Sequence, residues 1–123
     1  MIGIIDYGIG NINAFYNIYK EKNINIKIIS STEDLNQNIK KLILPGVGSF
    51  DNAVSLLQEK KLFKKIIDFT KNPDNKILGI CIGMQILAQR SIEGNLDGMK
   101  LIDEKFEKLK NKILPHIGWN SIK

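Results

Sequence analysis

Lys76-Ile77-Leu78-Gly79-Ile80-Cys81-Ile82-Gly83-Met84-Gln85 is the stretch from which the rest of the chain can be read. Lys76 to Ile80 is a short apolar run that follows the turn signal Asn72-Pro73-Asp74-Asn75, and it reads as a strand. Ile82 to Arg90 reads as a helix. Between them, Gly79-Ile80-Cys81-Ile82-Gly83 places a glycine two residues before and two residues after a cysteine. This is the nucleophile-elbow pattern with cysteine in the place of serine. A nucleophile on a tight strand-to-helix turn stands above the sheet. The turn crowds the flanking positions, which therefore take glycine. The helix that follows directs its dipole and its free N–H groups at the place where negative charge develops. The same residues also admit a plainer reading, a buried cysteine at a strand end with chance glycines nearby.

Outward from the elbow, short apolar runs alternate with helical patterns. Ile2 to Ile5 reads as a buried strand ending at Asp6, and Tyr7-Gly8-Ile9-Gly10 as a glycine-rich turn. Asn11 is placed to cap a helix with Ala14, Phe15, Ile18 and Tyr19 on one face. Ile24, Ile26, Ile28 and Ile29 form a second strand, and Ser30 to Gln37 a polar loop. Lys41 to Leu44 is a third strand, stopped by Pro45-Gly46-Val47-Gly48. Ser49 opens a helix through Ala53, Leu56 and Leu57, and Leu62 to Phe69 is helical with Phe63, Ile66 and Ile67 inward. Met99 to Ile102 is compatible with a further strand. This order predicts an α/β fold with an open, mostly parallel sheet, flanking helices and right-handed crossovers. No linker or repeat divides residues 1–123, so one domain is expected. In such sheets the chemistry collects where strands end and helices begin. Those points are Asp6 to Gly10, Pro45 to Gly48 and Gly79 to Gly83.

Composition narrows the function classes. Of the 123 residues, 43% are hydrophobic and 25% charged, which suits an ordinary globular core. The formal charge of +5 raises the question of nucleic acid. The lysines are scattered, however, and aromatic residues do not interleave with them as a stacking platform requires, so no nucleic-acid partner is expected. One cysteine and one histidine are far short of a metal site. Gly8-Ile9-Gly10 lacks the third glycine of a dinucleotide fingerprint, and no Gly-Lys-Ser/Thr follows any loop. No cofactor is expected. The N-terminus carries neither a basic leader nor an apolar span, so the expectation is a cytoplasmic protein without a membrane partner.

Pro45 to Gly48 belongs with the elbow. Small residues there let backbone N–H groups approach a substrate carbonyl, a second half for an oxyanion hole. A thiolate nucleophile also needs a base, most often a histidine held by a carboxylate. His116, between Pro115 and Ile117 in an irregular segment, has no strand end near it to aim it at Cys81. The chain as given is expected to lack its general base.

Four motifs occur in order: Asp6-Tyr7-Gly8-Ile9-Gly10-Asn11, Leu44-Pro45-Gly46-Val47-Gly48, Leu78-Gly79-Ile80-Cys81-Ile82-Gly83-Met84-Gln85 and Pro115-His116-Ile117-Gly118-Trp119-Asn120. Together they resemble the glutaminase subunits of imidazole glycerol phosphate synthase, in the class I (triad) glutamine amidotransferases. The resemblance runs from Ile2 to the end. It implies a glutamine amidotransferase-like fold in which Cys81 attacks the glutamine amide, forms a thioester and releases ammonia. Backbone groups of Gly46, Val47, Gly48 and Ile82 would serve the oxyanion. Gln85 and Glu93 would hold glutamine, and a carboxylate at Glu93 makes independent sense as a partner for the substrate ammonium. Asp6, Asn11 and Trp119 would face a (β/α)8-barrel synthase that uses the ammonia.

The resemblance also implies a departure. In that family a C-terminal segment past the Pro-His-Ile-Gly-Trp-Asn motif carries the triad His and Glu, and this sequence, which stops at Lys123, has neither. The expectation is therefore the N-terminal part of such a domain, inactive alone, exposing surface that later strands would cover. Competing readings are an amidotransferase subunit for sugar amination, a non-catalytic remnant that keeps the partner-binding motifs, and a stress-type protein whose elbow cysteine senses oxidants.

Overall fold

The structure is a computed structural model that describes residues 1–110, 115, 117–119 and 121. Four parallel strands make the main sheet: β1 (Ile2–Ile5), β2 (Ile26–Ile29), β3 (Lys41–Leu44) and β4 (Lys76–Gly79), in the spatial order β2-β1-β3-β4. Ile2 pairs with Ile26 on one side and Lys41 on the other, and Lys41 in turn with Lys76. Winding reverses between β1 and β3, which makes the carboxyl edge there a topological switch point.

Helices cover both faces. On one side lie α2 (Phe50–Glu59), α3 (Leu62–Thr70) and α4 (Ile82–Leu87). Their Phe50, Ala53, Val54, Leu57, Leu62, Ile66 and Ile86 pack on Ile5, Ile29, Leu42 and Leu44. On the other side lies α1 (Ile12–Glu21), whose Ile12, Phe15, Tyr16 and Tyr19 pack on Ile4, Ile26 and Ile43. Because β1 and β3 are buried on both faces, they read as unbroken apolar runs rather than alternating ones. β4 is different. Leu78, on the face that α1 covers over β1 and β3, is 56% exposed.

Several expectations need correction. α1 is rotated from the expected face: Ala14 and Ile18 are exposed, and the sheet is met by the i, i+3, i+4, i+7 set beginning at Ile12. Ile24 is outside β2 and partly exposed. Tyr7 lies in the expected turn, and its side chain is completely buried. α4 ends at Leu87 rather than Arg90, with Ala88 extended at φ −79°, ψ −174°. Arg90–Ser91 instead forms a short strand, β5, parallel to β6 (Lys105–Phe106). Met99 to Ile102 is not a strand. Its amides bond to the carbonyls at the end of α4: Met99 to Ile86 at 2.7 Å, Lys100 to Ala88 at 3.1 Å, and Leu101 and Ile102 to Leu87 at 2.9 and 3.0 Å. A helix leaves its last carbonyls unsatisfied, and here a distant segment takes them. Among the described residues, no helix is long and apolar enough to cross a membrane.

Candidate active site

Cys81 sits between β4 and α4 with φ 54° and ψ −118°. A side chain with a Cβ rarely adopts that conformation, so the residue is held there under strain by its surroundings. The thiol is exposed, which excludes the plainer reading of a buried cysteine. Below it the turn closes through bonds from the Gly83 amide to the Ile80 carbonyl (2.9 Å) and from the Met84 and Gln85 amides to the Cys81 carbonyl (3.0 and 3.2 Å). Ile82 is the first residue of the helix, so its amide has no intrahelical acceptor.

The glycines of the elbow are required by contact. A Cβ on Gly79 would lie 2.6 Å from Met84 Cα, and one on Gly83 would overlap the Leu44 carbonyl. Gly46, on the turn after β3, meets the other side of the same joint. A Cβ there would come within 2.8 Å of both the Gly83 nitrogen and the Tyr7 hydroxyl. The Pro45–Gly48 turn is thus pressed against the base of the elbow. Tyr7 holds it there, donating from its hydroxyl to the Pro45 carbonyl at 2.7 Å in the buried interior. Burial, and after it the nearby Cys81, push the Tyr7 phenol far above its ordinary range, so it stays a neutral donor. Gly46 is buried in this joint, while Val47 and Gly48 are exposed beside it and Gly48 has φ 83°.

The predicted substrate residues are brought together through one that the sequence reading passed over. Ser91, 4% exposed, donates from its hydroxyl to Gln85 Oε1 at 2.7 Å and accepts from the Glu93 amide at 3.2 Å. Gln85 is half-buried on α4, and Glu93 is exposed on the loop after β5. With its oxygen occupied by Ser91, the Gln85 amide presents its nitrogen as the free donor. The loop also closes on Asp97, which accepts from Arg90 Nε at 2.7 Å and pairs with Lys100 at 2.8 Å. Those two cations hold the Asp97 carboxyl down to about 2.

The predicted partner residues are not gathered in the same way. Asp6 and Asn11 lie at the carboxyl end of β1 and act locally. Asp6 Oδ1 accepts from the Gly8 amide at 3.1 Å, and Asn11 Oδ1 caps α1 by accepting from the Ala14 amide at 3.2 Å. The Trp119 side chain is completely exposed. His116 and Asn120 lie outside the described residues.

The profile of the CobB/CobQ-like glutamine amidotransferase domain matches residues 3–119. The chain belongs to that family. Amidotransferase relatives named imidazole glycerol phosphate synthase subunit HisH are similar over nearly the whole sequence. The protein of Leptospira interrogans is 40% identical over 99% of this chain and 62% of its own length. That of Bdellovibrio bacteriovorus is 39% identical over 100% of this chain and 63% of its own length. The chain thus spans less than two thirds of these relatives. A crystal structure of a glutamine amidotransferase superposes with a TM-score of 0.63 at 22% identity, over 74% of this chain and 47% of the other. That likeness establishes the amidotransferase fold.

Proposed function

We propose that this chain supplies the nucleophile and the glutamine site of a glutaminase, which passes ammonia to a synthase that makes imidazole glycerol phosphate in histidine biosynthesis. The observation that carries the reading is the exposed Cys81, strained at φ 54°, with Gly46 of the Pro45–Gly48 turn packed against its base. Cys81 Sγ attacks the side-chain amide carbon of glutamine, and the carbonyl oxygen takes the negative charge. The Gly46-Val47-Gly48 turn and the Ile82 amide receive that oxygen. Collapse expels ammonia and leaves a glutamyl thioester, which water hydrolyses to glutamate. Gln85 and Glu93 hold the amino-acid end, with the Glu93 carboxylate on the substrate ammonium.

The proton transfers belong to the His–Glu pair that the resemblance implies. Ammonia goes to a (β/α)8-barrel partner met by Asp6, Asn11 and Trp119, in the cytoplasm. The similarity to HisH subunits at about 40% identity favours this acceptor over a sugar.

The test is competition at the thiol. A glutamine-mimicking electrophile should label Cys81 faster than iodoacetamide does, and free glutamine should protect it. Cys81→Ala should abolish labelling, and should abolish turnover in the assembled enzyme, while partner binding persists. Labelling that glutamine does not slow, or peroxide reactivity above that of the mimic, would refute the assignment.

A further inference from the structure

We propose that Asp51 is a positioning residue, one that fixes the loop carrying Glu93 to the helix that begins beneath the oxyanion turn. The proposal rests on the glutamine reading above and deepens it. Asp51 is the second residue of α2, two residues after the Ser49 cap and three past Gly48. Its carboxylate reaches across 44 residues of sequence. Oδ1 accepts from the Asn95 amide at 2.9 Å and the Leu96 amide at 2.9 Å, and Oδ2 accepts from the Asn95 amide at 3.0 Å. These bonds, Leu96 first and then Asn95, lower the Asp51 pKa. Gly94 lies flat against the same group. A Cβ there would overlap the carboxylate and sit 2.7 Å from Phe50 Cδ1.

The loop is therefore tied at two points on either side of Glu93. Ser91 fastens it inward to Gln85, and Asp51 fastens it to α2. An acidic residue in the first turn of a helix is ordinarily explained by the helix dipole, and that explanation needs no partner. It does not account for two consecutive loop amides converging on one carboxylate, or for the glycine that lets them approach. The consequence is geometric. The carbonyl end of glutamine is met by the turn that leads into α2, and its ammonium end by a loop bolted to α2, so the spacing between the two is set by Asp51.

The experiment compares the chain with Asp51→Ala, Asp51→Asn, Gly94→Ala and Glu93→Ala, using a chloroketone analogue of glutamine. Its chloride leaves as the Cys81 C–S bond forms. Labelling rate against concentration gives a half-saturation concentration and a limiting rate, and iodoacetamide measures the thiol alone. Asp51→Ala and Gly94→Ala should raise half-saturation about tenfold, as a charge-assisted anchor would. The limiting rate and the iodoacetamide rate should stay put in those two variants, and Glu93→Ala should raise half-saturation at least as far. Asp51→Asn keeps one acceptor and should lose less. Hydrogen exchange at the Asn95 and Leu96 amides reads the anchor itself and should accelerate in Asp51→Ala. Faster exchange with unchanged half-saturation would overturn the positioning role alone, and so would unchanged exchange. A wild-type chain that shows no saturation by the analogue would overturn the glutamine reading and take this proposal with it.

Discussion

Replacing Cys81 by glycine and, separately, by alanine isolates what the elbow conformation costs the fold. At φ 54° and ψ −118° the residue occupies a region that glycine enters freely and that any Cβ opposes. A residue held in such a region stores about 1–3 kcal/mol. Glycine removes that strain but gives back about 0.5–1 kcal/mol through its extra freedom in the unfolded chain. Cys81→Gly should therefore be more stable than Cys81→Ala by up to roughly 2.5 kcal/mol, whereas at ordinary backbone angles the order is reversed. For a chain of this size the difference is up to about 10 °C in melting temperature. Because the thiol is exposed, loss of the sulfur removes little packing, and alanine is a fair reference for the Cβ alone. The assay is thermal or urea unfolding of the three chains followed by circular dichroism. A glycine variant that melts at or below the alanine variant would refute the claim that strain is held at Cys81.

Tyr7→Phe should cost about 1–3 kcal/mol, because it strands the buried Pro45 carbonyl without its donor; an unchanged urea midpoint would remove Tyr7 as the brace of the turn. Trp119→Ala should weaken binding to the barrel partner by tenfold or more, the behaviour of an exposed aromatic anchor, while Cys81 labelling is unaffected; equal affinity in a binding titration would end the interface role. Asp51 titrates below its ordinary value when folded. Its anchoring should therefore be complete above the unfolded carboxylate value of about 3.9 and lost only as pH falls through the lower folded one. Exchange protection at Asn95 and Leu96 that disappears above that value would contradict the bonds that cause the shift.

What could be read in the sequence follows from how local each signal is. β1 and β3 were found to the residue, since burial on both faces leaves an uninterrupted apolar run with a turn residue at its end. The Asn11 and Ser49 caps were legible because a cap bonds three residues ahead. The elbow was legible because its glycines answer to a turn five residues long. The end of α4 was not, because it is decided by Met99 to Ile102 taking carbonyls that a sequence pattern assigns to the helix. Tyr7, Asp51 and Ser91 were missed for a related reason. Tyr7 and Asp51 act on partners about 40 residues away, and Ser91 is a small polar residue that becomes informative only once it is seen buried between Gln85 and Glu93. Gly94 was the one available hint for Asp51, a glycine whose reason for being there is contact.

The groups proposed to react all lie beyond the ends of the strands, so the sheet by itself cannot fix their spacing. A nucleophile and its oxyanion donors must hold position to within about 0.5 Å to be useful. The ladder carries that precision only as far as its last rungs, Leu44 beside Gly79 and the Ile80 amide on the Leu44 carbonyl at 3.0 Å. Past that point, side-chain-free contact takes over. Gly83 packs on the Leu44 carbonyl, Gly46 packs on Gly83, and Tyr7 clamps Pro45 from the end of β1. Each contact tolerates no added methyl, so displacement of any one strand end is transmitted to the elbow. Asp51 extends the chain of contacts by one link, from the helix that follows Gly48 to the loop that carries Glu93. The end of β1, the turn into α2, the elbow and the Glu93 loop are in this way held as one body, and single-methyl additions at Gly46, Gly79 or Gly83 should disturb the reactivity of Cys81 before they disturb the core.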